Sequence, residues 1–281
     1  MAQPEYHTTV VTAFYPLPGN KKHSFDKYVQ WINNFCHCVR APILAFLPAG
    51  DLADAVQKIL TKHQRTFRII RRPYDSLAYG TPEWLEYWNY NHTHDPSNNI
   101  VCPEMYRIWA NKCIFLEEAM AIRQWDTPDY VWCDMGCWRE PNLAHSGWPR
   151  RLEQTQVLWI ENLSQMTAEA AAAKAAGKAS SLEALAVAVP TTNRFCIAGA
   201  QFGGPIASLL LFTQTVASAF EIYRRRRILA HTDQQVMATA ALWLQAERKP
   251  ILNFLAPHEY EMPPGANRWF AFQILWRRDA Y

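Results

Sequence analysis

The sequence predicts an α/β protein in which helices cover both faces of a doubly wound, mostly parallel sheet. Two observations carry this prediction. Apolar, β-branched runs alternate with segments of helical spacing over roughly the first seventy residues, and strands joined through a helix are parallel. Further apolar runs recur towards the end of the chain without an internal repeat, which favours one continuing sheet and a single domain over residues 1–281.

The first strand is predicted over residues 8–14, a β-branched and apolar run that ends before Pro16 and Pro18. Apolar residues then recur every three or four positions over residues 25–35, which is the spacing of an amphipathic helix. Three further elements complete this alternating half: a strand at 43–47, a helix at 51–60 and a strand at 66–70. Ligands of such sheets bind beyond the carboxyl ends of the strands, so we expect a site in the loops that follow these strands.

The second half begins with residues 73–102, which are dense in Tyr, Trp, Asn, His and Pro and show no clear period. This composition predicts a long surface excursion that carries specificity. Residues 168–188 contain 11 alanines in 21 positions, so the segment 165–189 is predicted to be an exposed helical insertion. The other predicted elements are helices at 103–125, 205–226 and 233–247 and strands at 130–133, 195–198 and 251–255.

The composition of the 281 residues excludes several classes of protein. Hydrophobic residues make up 49% of the chain, which is typical of a globular protein and not of a disordered or fibrous one. Lys plus Arg exceed Asp plus Glu by 28 − 25 = 3, too small a surplus to indicate a nucleic-acid partner. Seven cysteines at irregular spacing do not form a disulfide framework, and the N-terminus lacks the pattern of a signal peptide. We therefore expect a cytoplasmic protein without a membrane span.

Two charged residues are candidates for chemistry. Lys112 shares the inward face of the helix at 103–125 with Ile108 and Leu116, and a buried lysine needs an anion. The structural interpretation is a lysine that extends its amine to solvent or forms an internal salt bridge, and the functional one is contact with a phosphate or carboxylate at the edge of the sheet. Asp134 ends an apolar strand, where it either binds a divalent cation or a sugar hydroxyl or simply caps the turn that Gly136 allows.

A second group of candidates lies near predicted helix starts. Gly203 and Gly204 stand between a predicted strand and a helix, where glycine lets backbone approach a ligand at the helix N-terminus. Thr232 and Gln235 form the pattern of a capping box, and Asp233 at the first helical position suits the helix dipole. This placement alone explains Asp233, which becomes a candidate only through its neighbours in the fold.

A third group is the run His92, Thr93, His94 and Asp95, which invites comparison with metal-dependent hydrolases. The usual hydrolase pattern has one more residue between the second histidine and the aspartate. A hydrolase that binds a metal through His92, His94 and Asp95 therefore stands as an alternative function.

Five short motifs follow one another along the chain: TVVTAF at 9–14, YRIWANK at 106–112, YVWCDMG at 130–136, AGAQFGG at 198–204 and TDQQV at 232–236. Taken in this order, they resemble the HtrL/YibB family of glycosyltransferase-like proteins. No single motif is specific, but their shared order extends over about residues 8–257. The family in turn resembles the GT-A glycosyltransferases, which are single α/β domains that bind a nucleotide sugar at the first strand. They hold its diphosphate through a metal at an Asp-x-Asp motif.

The resemblance implies a role for each matching residue of this chain. Thr12 and Ala13 would lie near the nucleotide base, Lys112 near the phosphates, and Asp134 at the first carboxylate of the metal motif. Gly136 replaces the second aspartate of that motif, which leaves open whether manganese or magnesium is needed.

The remaining implied roles concern the sugar and the acceptor. Gly203 and Gly204 would line the sugar or acceptor side, and Asp233 with Gln234 resembles the Asp-Gln pair beside the transferred sugar in glycogenin-like transferases. Asp233 would then act as a base or stabilise positive charge at the sugar, and His258 is an additional metal-ligand candidate. Aromatic platforms for a glycan or small-molecule acceptor are expected from the cluster Trp84, Tyr87, Trp88 and Tyr90.

The function that these expectations favour is transfer of a sugar from a nucleotide-diphosphate sugar, with UDP as the expected nucleotide, to a hydroxyl group. The alternatives are the hydrolase described above and a relative that binds nucleotide sugar without turning it over. The three differ in which residues must share a pocket: a transferase requires Asp134, Asp233 and Lys112 together, whereas the hydrolase requires a metal among His92, His94 and Asp95.

Overall fold

A computed structural model describes residues 6–139, 148–159, 163–189, 197–247, 252–255 and 270–276 of the chain. Seven strands form one sheet, and we number strands and helices separately in chain order. The strands are β1 (Thr8–Ala13), β2 (Ile43–Leu47), β3 (Phe67–Arg71), β4 (Asp129–Cys133), β5 (Thr155–Trp159), β6 (Ile197–Pro205) and β7 (Leu252–Leu255). The α-helices are α1 (Phe25–Cys38), α2 (Asp51–Lys62), α3 (Pro82–His94), α4 (Pro103–Ile122), α5 (Leu163–Ala175), α6 (Leu182–Ala188), α7 (Ile206–Arg226), α8 (Asp233–Ala246) and α9 (Phe272–Leu275).

The sheet has the order β3-β2-β1-β4-β6-β5-β7, and β6 is antiparallel to both of its neighbours while the other pairs are parallel. Successive strands build outward from β1 to β3 on one side, and β4 then pairs with the other side of β1. The strand order therefore reverses between β1 and β4. Crevices at such a reversal are where open α/β sheets bind ligands.

Helices cover both faces of the sheet because alternate strand residues enter two separate cores. Val11 and Trp132 belong to the core that α3 to α8 cover, whereas their neighbours Val10 and Val131 belong to the core under α1, α2 and α9. Strands buried on both faces are expected to be continuously apolar, and β2 is fully buried along its length. The predicted fold class, an α/β protein with a mostly parallel sheet and helices on both faces, is confirmed.

The aromatic-rich stretch at 73–102 contains a regular helix, α3, which Pro82 begins at the favoured first position. Its buried residues, Trp84, Tyr87, Trp88 and Asn91, do recur at helical spacing. The period is weak in the sequence because these buried side chains are aromatic or polar and not aliphatic. The alanine-rich segment is helical as α5 and α6. It is not wholly exposed, since Met166 and Leu185 are buried in the same core as α7 and α8.

The longest apolar helix is α7. Among the described residues it alone is long and apolar enough to cross a membrane. It packs against α4 and α8, and Phe212, Val216 and Phe220 are buried in the main core. The core helix of a globular protein meets the same criterion of length and composition.

Gly203 and Gly204 correct the expectation of a glycine loop at the start of α7, because both lie inside β6. A Cβ atom on Gly203 would lie 2.5 Å from the Tyr130 carbonyl oxygen and 2.7 Å from the Val131 Cα. The two glycines therefore allow the neighbouring strands to approach β6 closely, which is a packing role.

We expect Gly203→Ala to lower the free energy of unfolding by about 1–3 kcal/mol, because the added methyl group meets backbone atoms that cannot rotate away. Gly136→Ala is the matched control: its Cβ would lie 3.4–3.5 Å from the Tyr28 and Trp31 rings, an ordinary contact. Urea unfolding at neutral pH measures both. Equal stability of the two variants would contradict the close strand contact.

Candidate functional site

A cavity of about 490 Å³ opens where the strand order reverses. Ala13 at the end of β1 and Asp134 just after β4 lie on its wall, beside Gly199 and Ala200 of β6. Its volume lies within the range of small-molecule sites, and its place at the carboxyl ends of β1 and β4 is where the sequence predicts one.

Lys112, Asp134 and Asp233 meet on the wall of this cavity. The Lys112 Nζ atom lies 3.0 Å from Asp233 Oδ2 and 3.3 Å from Asp134 Oδ1, and it donates a 2.9 Å hydrogen bond to the Gly199 carbonyl oxygen. The side chains of Lys112 and Asp233 are 7% and 6% exposed, whereas that of Asp134 is 38% exposed. One ammonium thus joins two carboxylates, of which one faces the open cavity.

Lys112 reaches this position from α4, whose inward face the helical spacing predicts correctly. Burial lowers the pKa of its ammonium, but the nearby carboxylates of Asp134 and Asp233 outweigh burial and raise the pKa to about 12. The lysine is therefore protonated throughout the neutral range. Of the two interpretations left open by the sequence, the internal carboxylate partner is present, and it lies within the cavity.

Asp134 is held by the turn after β4. Its N–H donates a 2.8 Å hydrogen bond to the Ala200 carbonyl oxygen, and its Oδ1 atom accepts a 2.7 Å hydrogen bond from Trp132 Nε1. These contacts fix the carboxylate at the carboxyl end of the sheet. Gly136 lies in the same turn and lines the cavity.

Asp233 begins α8, where the Thr232 and Gln235 side chains form the predicted capping box. Burial raises the pKa of Asp233, the nearby Lys112 ammonium opposes this shift, and the charge of Asp134 adds to it. Gln234, the next residue, also lines the cavity.

Gly199 is a residue of the site that the analysis of single residues does not identify. A Cβ atom there would lie 2.7 Å from Asp233 Oδ2, so only glycine leaves room for that carboxylate beside Lys112. Gly199 is the first glycine of the motif AGAQFGG, in which the adjacent pair Gly203 and Gly204 is the more obvious candidate.

Several other expected site residues lie elsewhere. Ala13 lines the cavity, but Thr12 is fully buried and does not contribute to the described lining. Gly203 and Gly204 pair with Val131 and Tyr130, towards the amino end of β4 and therefore away from Asp134. His258 lies outside the described residues.

The metal site of the alternative hydrolase function is not assembled among the described residues. The His92 Nε2 and His94 Nδ1 atoms each face backbone carbonyl oxygens at 2.8–3.2 Å, so these nitrogens act as N–H donors and not as metal ligands. Asp95 accepts hydrogen bonds from the Tyr106 hydroxyl and the Ser97 N–H. Within the described ranges, no three His, Cys, Asp or Glu side chains are grouped to hold a metal ion.

The aromatic cluster expected to receive an acceptor is part of the core instead. Trp84, Tyr87 and Trp88 are 2–6% exposed, and they do not contribute to the described cavity lining. The cavity's own aromatic rings come from other elements, with Tyr28 and Trp31 on α1 and Trp109 on α4. The packing interpretation is correct for these three residues. Tyr90, the fourth member of the cluster, is half-buried, donates a 3.1 Å hydrogen bond to the Arg227 carbonyl oxygen and also lies outside the described lining of this cavity.

Two cations that the sequence analysis does not select also line the cavity. Lys22 lies in the segment between β1 and α1, and Arg139 follows the turn of Asp134. The Arg139 guanidinium lies over the rings of Trp31 and Phe270, with its Cζ atom 4.6 and 4.9 Å from their centroids. The signal for Lys22 is its position in a loop that follows a parallel strand; the position of Arg139 follows from tertiary contacts.

Comparison with known proteins finds likeness among solved structures. No family model matches the chain, and no curated protein matches it. Among solved structures, it is similar to core-mannan synthase A (CmsA/Ktr4) of Aspergillus fumigatus in a Mn/GDP form, at 10% identity and a TM-score of 0.49. The alignment covers 97% of this chain and 84% of that one. A likeness at this level assigns neither a family nor an activity, so membership of the HtrL/YibB family stays a prediction.

Proposed function

We propose that this chain is a glycosyltransferase that moves a sugar from a nucleotide-diphosphate sugar to a hydroxyl-bearing acceptor. The observation that supports this best is the group formed by Lys112, Asp134 and Asp233 at the strand-order reversal. The resemblance of five motifs to the HtrL/YibB family supports the same function, with UDP as the proposed nucleotide, a glycan or small molecule as the proposed acceptor, and the cytoplasm as the proposed location.

The proposed reaction requires a negative group near the sugar and positive charge near the leaving diphosphate. The acceptor oxygen forms a bond to the anomeric carbon, the bond from that carbon to the diphosphate oxygen breaks, and the diphosphate keeps the electron pair. Positive charge that faces the leaving oxygens stabilises the transition state. Lys112 is placed to supply such charge, since its ammonium lies on the cavity wall and stays protonated at neutral pH.

Asp233 is the residue that we assign to the sugar side. Its carboxylate either accepts the proton that the acceptor hydroxyl loses or stabilises positive charge at the anomeric carbon. Its raised pKa suits proton transfer better than that of an exposed carboxylate, because a base is most effective when its pKa lies nearer to the working pH. The aromatic rings of Tyr28, Trp31 and Trp109 offer surfaces on which a base or a sugar ring can stack.

A thermal-shift screen tests the proposal. Nucleoside diphosphates and nucleotide-diphosphate sugars are added to the protein with manganese, with magnesium and with EDTA, and the screen is repeated on Asp134→Ala. We expect one diphosphate sugar to raise the melting temperature, because a ligand that binds only the folded state stabilises it by mass action. The shift given by the diphosphate sugar should shrink in Asp134→Ala, because the half-exposed Asp134 carboxylate is placed to accept a hydrogen bond from a sugar hydroxyl. The shift given by the nucleoside diphosphate alone should not shrink.

Two outcomes contradict the proposal. If no nucleotide shifts the melting temperature of the folded protein, the cavity is not a donor site. If a donor binds but neither water nor any acceptor releases nucleoside diphosphate from it, the chain is the binding-only relative and not a transferase.

A further inference from the structure

The groups around Lys112 do not fit a divalent metal site. The resemblance to the HtrL/YibB family would place a metal ion at Asp134, the first carboxylate of an Asp-x-Asp motif. The second aspartate of that motif is replaced by Gly136, which has no side chain to bind a metal. The oxygens of Asp134 already face Trp132 Nε1 and Lys112 Nζ, and the nearest other carboxylate, Asp233, is paired with the same ammonium. The described residues thus provide one half-exposed carboxylate, whereas magnesium and manganese prefer several oxygen ligands.

Lys112 also places a positive charge where these two carboxylates converge. Its Nζ atom lies 3.0–3.3 Å from an oxygen of each, and a dication bound between them would have to displace the ammonium or lie against it. The ammonium cannot move away easily, because it also donates to the Gly199 carbonyl oxygen and the side chain is 7% exposed. Lys112 thus already neutralises one of the two carboxylate charges that would attract a metal ion.

Lys22 and Arg139 add two further positive charges to the same cavity. Within the described part of the chain, neither forms an ion pair with a carboxylate, and the Nε atom of Arg139 is buried without a hydrogen-bond partner. Lys22 is exposed where it lines the cavity, and Lys112 and Arg139 lie near enough for their positive charges to repel its ammonium. An anion between these groups would relieve the repulsion among the three cations.

Among the described lining residues, three cations stand against two carboxylates, Asp134 and Asp233, which is a surplus of one positive charge. His23, the titratable imidazole nearby, has a pKa that burial and the neighbouring Arg139 lower, so it is neutral at pH 7. A planar guanidinium and a flexible ammonium are both common partners of phosphate oxygens. A diphosphate carries adjacent anionic groups, and two cations that line one cavity are suited to bind such a ligand.

We infer that this site holds the diphosphate of its ligand with the side-chain cations Lys22 and Arg139, backed by Lys112, and that binding needs no divalent metal. The inference rests on the proposed function, because it takes the cavity to be the donor site. It states the chemical basis of that site: side-chain cations bind the diphosphate, and Lys112 occupies the position between the two carboxylates where a metal ion would otherwise bind.

Isothermal titration calorimetry with UDP and GDP tests the inference. Each nucleotide is titrated into the protein in EDTA and again with manganese or magnesium, and uridine or guanosine is the probe without phosphate. We expect dissociation constants for the better nucleoside diphosphate that agree within about threefold with and without metal. We expect the affinity to fall steeply with salt, because exposed charges that bind it are screened.

Variants separate the two cations from the rest of the site. Lys22→Gln and Arg139→Gln should each weaken binding of the nucleoside diphosphate about tenfold or more in EDTA, with a much smaller effect on the nucleoside. Lys21→Gln is the matched control, since Lys21 is also exposed, precedes Lys22 and does not contribute to the described lining. Melting curves identify any variant that is unfolded. Arg139→Gln loses the ring contacts of the guanidinium, and if it is unstable, Lys22→Gln alone tests the inference.

The other possible outcomes refute either the inference alone or the inference together with the proposed function. Binding that appears only with manganese or magnesium, or that Lys22→Gln leaves as tight as Lys21→Gln does, refutes the inference while the donor site stands. Absence of binding by either nucleoside diphosphate in every condition refutes the inference and the proposed function together.

Discussion

Replacement of Lys112 by methionine is expected to lower the free energy of unfolding by about 3–5 kcal/mol at pH 7, since it leaves buried carboxylates without their cation. Methionine keeps most of the length and the apolar stem of the side chain. The lost stability therefore comes mainly from Asp233, because its side chain is 6% exposed and its carboxylate lies 3.0 Å from Lys112 Nζ. Asp134 contributes less, because its side chain is 38% exposed and water can solvate its charge.

The penalty should shrink as the pH falls. Burial already raises the pKa of Asp233 above its ordinary value, and removal of the opposing Lys112 ammonium raises it further. A carboxyl whose pKa is raised by folding costs stability as the pH rises from its unfolded to its folded pKa, and this cost is absent below the unfolded value. The difference between Lys112→Met and the native chain is thus largest at neutral pH and declines towards about pH 4.

Urea unfolding of four proteins measures this effect. They are the native chain, Lys112→Met, Asp233→Asn and the double variant, and the cycle isolates the interaction between the two side chains. We expect the double variant to recover part of the stability that Lys112→Met loses, because asparagine is uncharged and needs no cation beside it. Lys174→Met is the matched control: Lys174 is exposed and paired with Glu247 at 2.9 Å, a contact worth less than about 1 kcal/mol.

The interpretation of Lys112 as the cation of a buried pair would be wrong under either of two results. One is a Lys112→Met variant no less stable than Lys174→Met. The other is a double variant with no recovery at all, which would mean that the lost stability arises from packing around the lysine stem and not from charge.

Lys112 also shows what helical periodicity can predict. Spacing alone places its side chain on the inward face of α4, and the strand that ends at Cys133 places Asp134 at the carboxyl edge of the sheet. Both predictions depend on local patterns with a fixed repeat, so a single sequence suffices. What spacing cannot give is the partner of the lysine, because Asp233 lies more than a hundred residues further along the chain.

Gly203 shows why a local pattern can mislead. Two glycines before a proline are typical of a loop, yet here they lie within β6. Glycine is needed there because the backbone of Tyr130 leaves no room for a Cβ atom on Gly203 and that of Thr155 leaves none on Gly204. Arg139 illustrates the same limit, since it is held over Trp31 and Phe270, which are distant in sequence. Contacts of this kind depend on how strands and helices assemble, and no periodicity records them.

Asp233→Asn is expected to reduce kcat for release of nucleoside diphosphate from the donor by about a hundredfold to ten-thousandfold, the usual contribution of a positioned base or charge. The change removes one charge and almost no volume, so the donor still fits the cavity. Because the residue acts on the sugar side, donor affinity should change much less than kcat. The measurement is single-turnover and steady-state release from the donor that the thermal-shift screen identifies, with water or an acceptor sugar.

Asp129→Asn is the matched control for this substitution. Asp129 is equally buried, burial raises its pKa as well, and its Oδ2 atom accepts the Leu152 N–H at 2.8 Å, a bond that the amide oxygen of asparagine can keep. It begins β4 and so lies at the opposite end of that strand from Asp134. A loss of kcat shared by both variants would indicate a general effect of stability, whereas a loss confined to Asp233→Asn indicates chemistry at the cavity.

The pH profile gives a second, independent test of the same residue. If ionised Asp233 is the active form, kcat rises with pH through an apparent pKa above the ordinary carboxyl value, because burial raises the pKa of this group. Asp233→Asn then removes this rising limb from the profile, whereas Asp129→Asn keeps it. A limb that persists unchanged in Asp233→Asn would assign the titrating group to another residue, and Asp134, the half-exposed carboxylate on the same ammonium, would be the next to substitute.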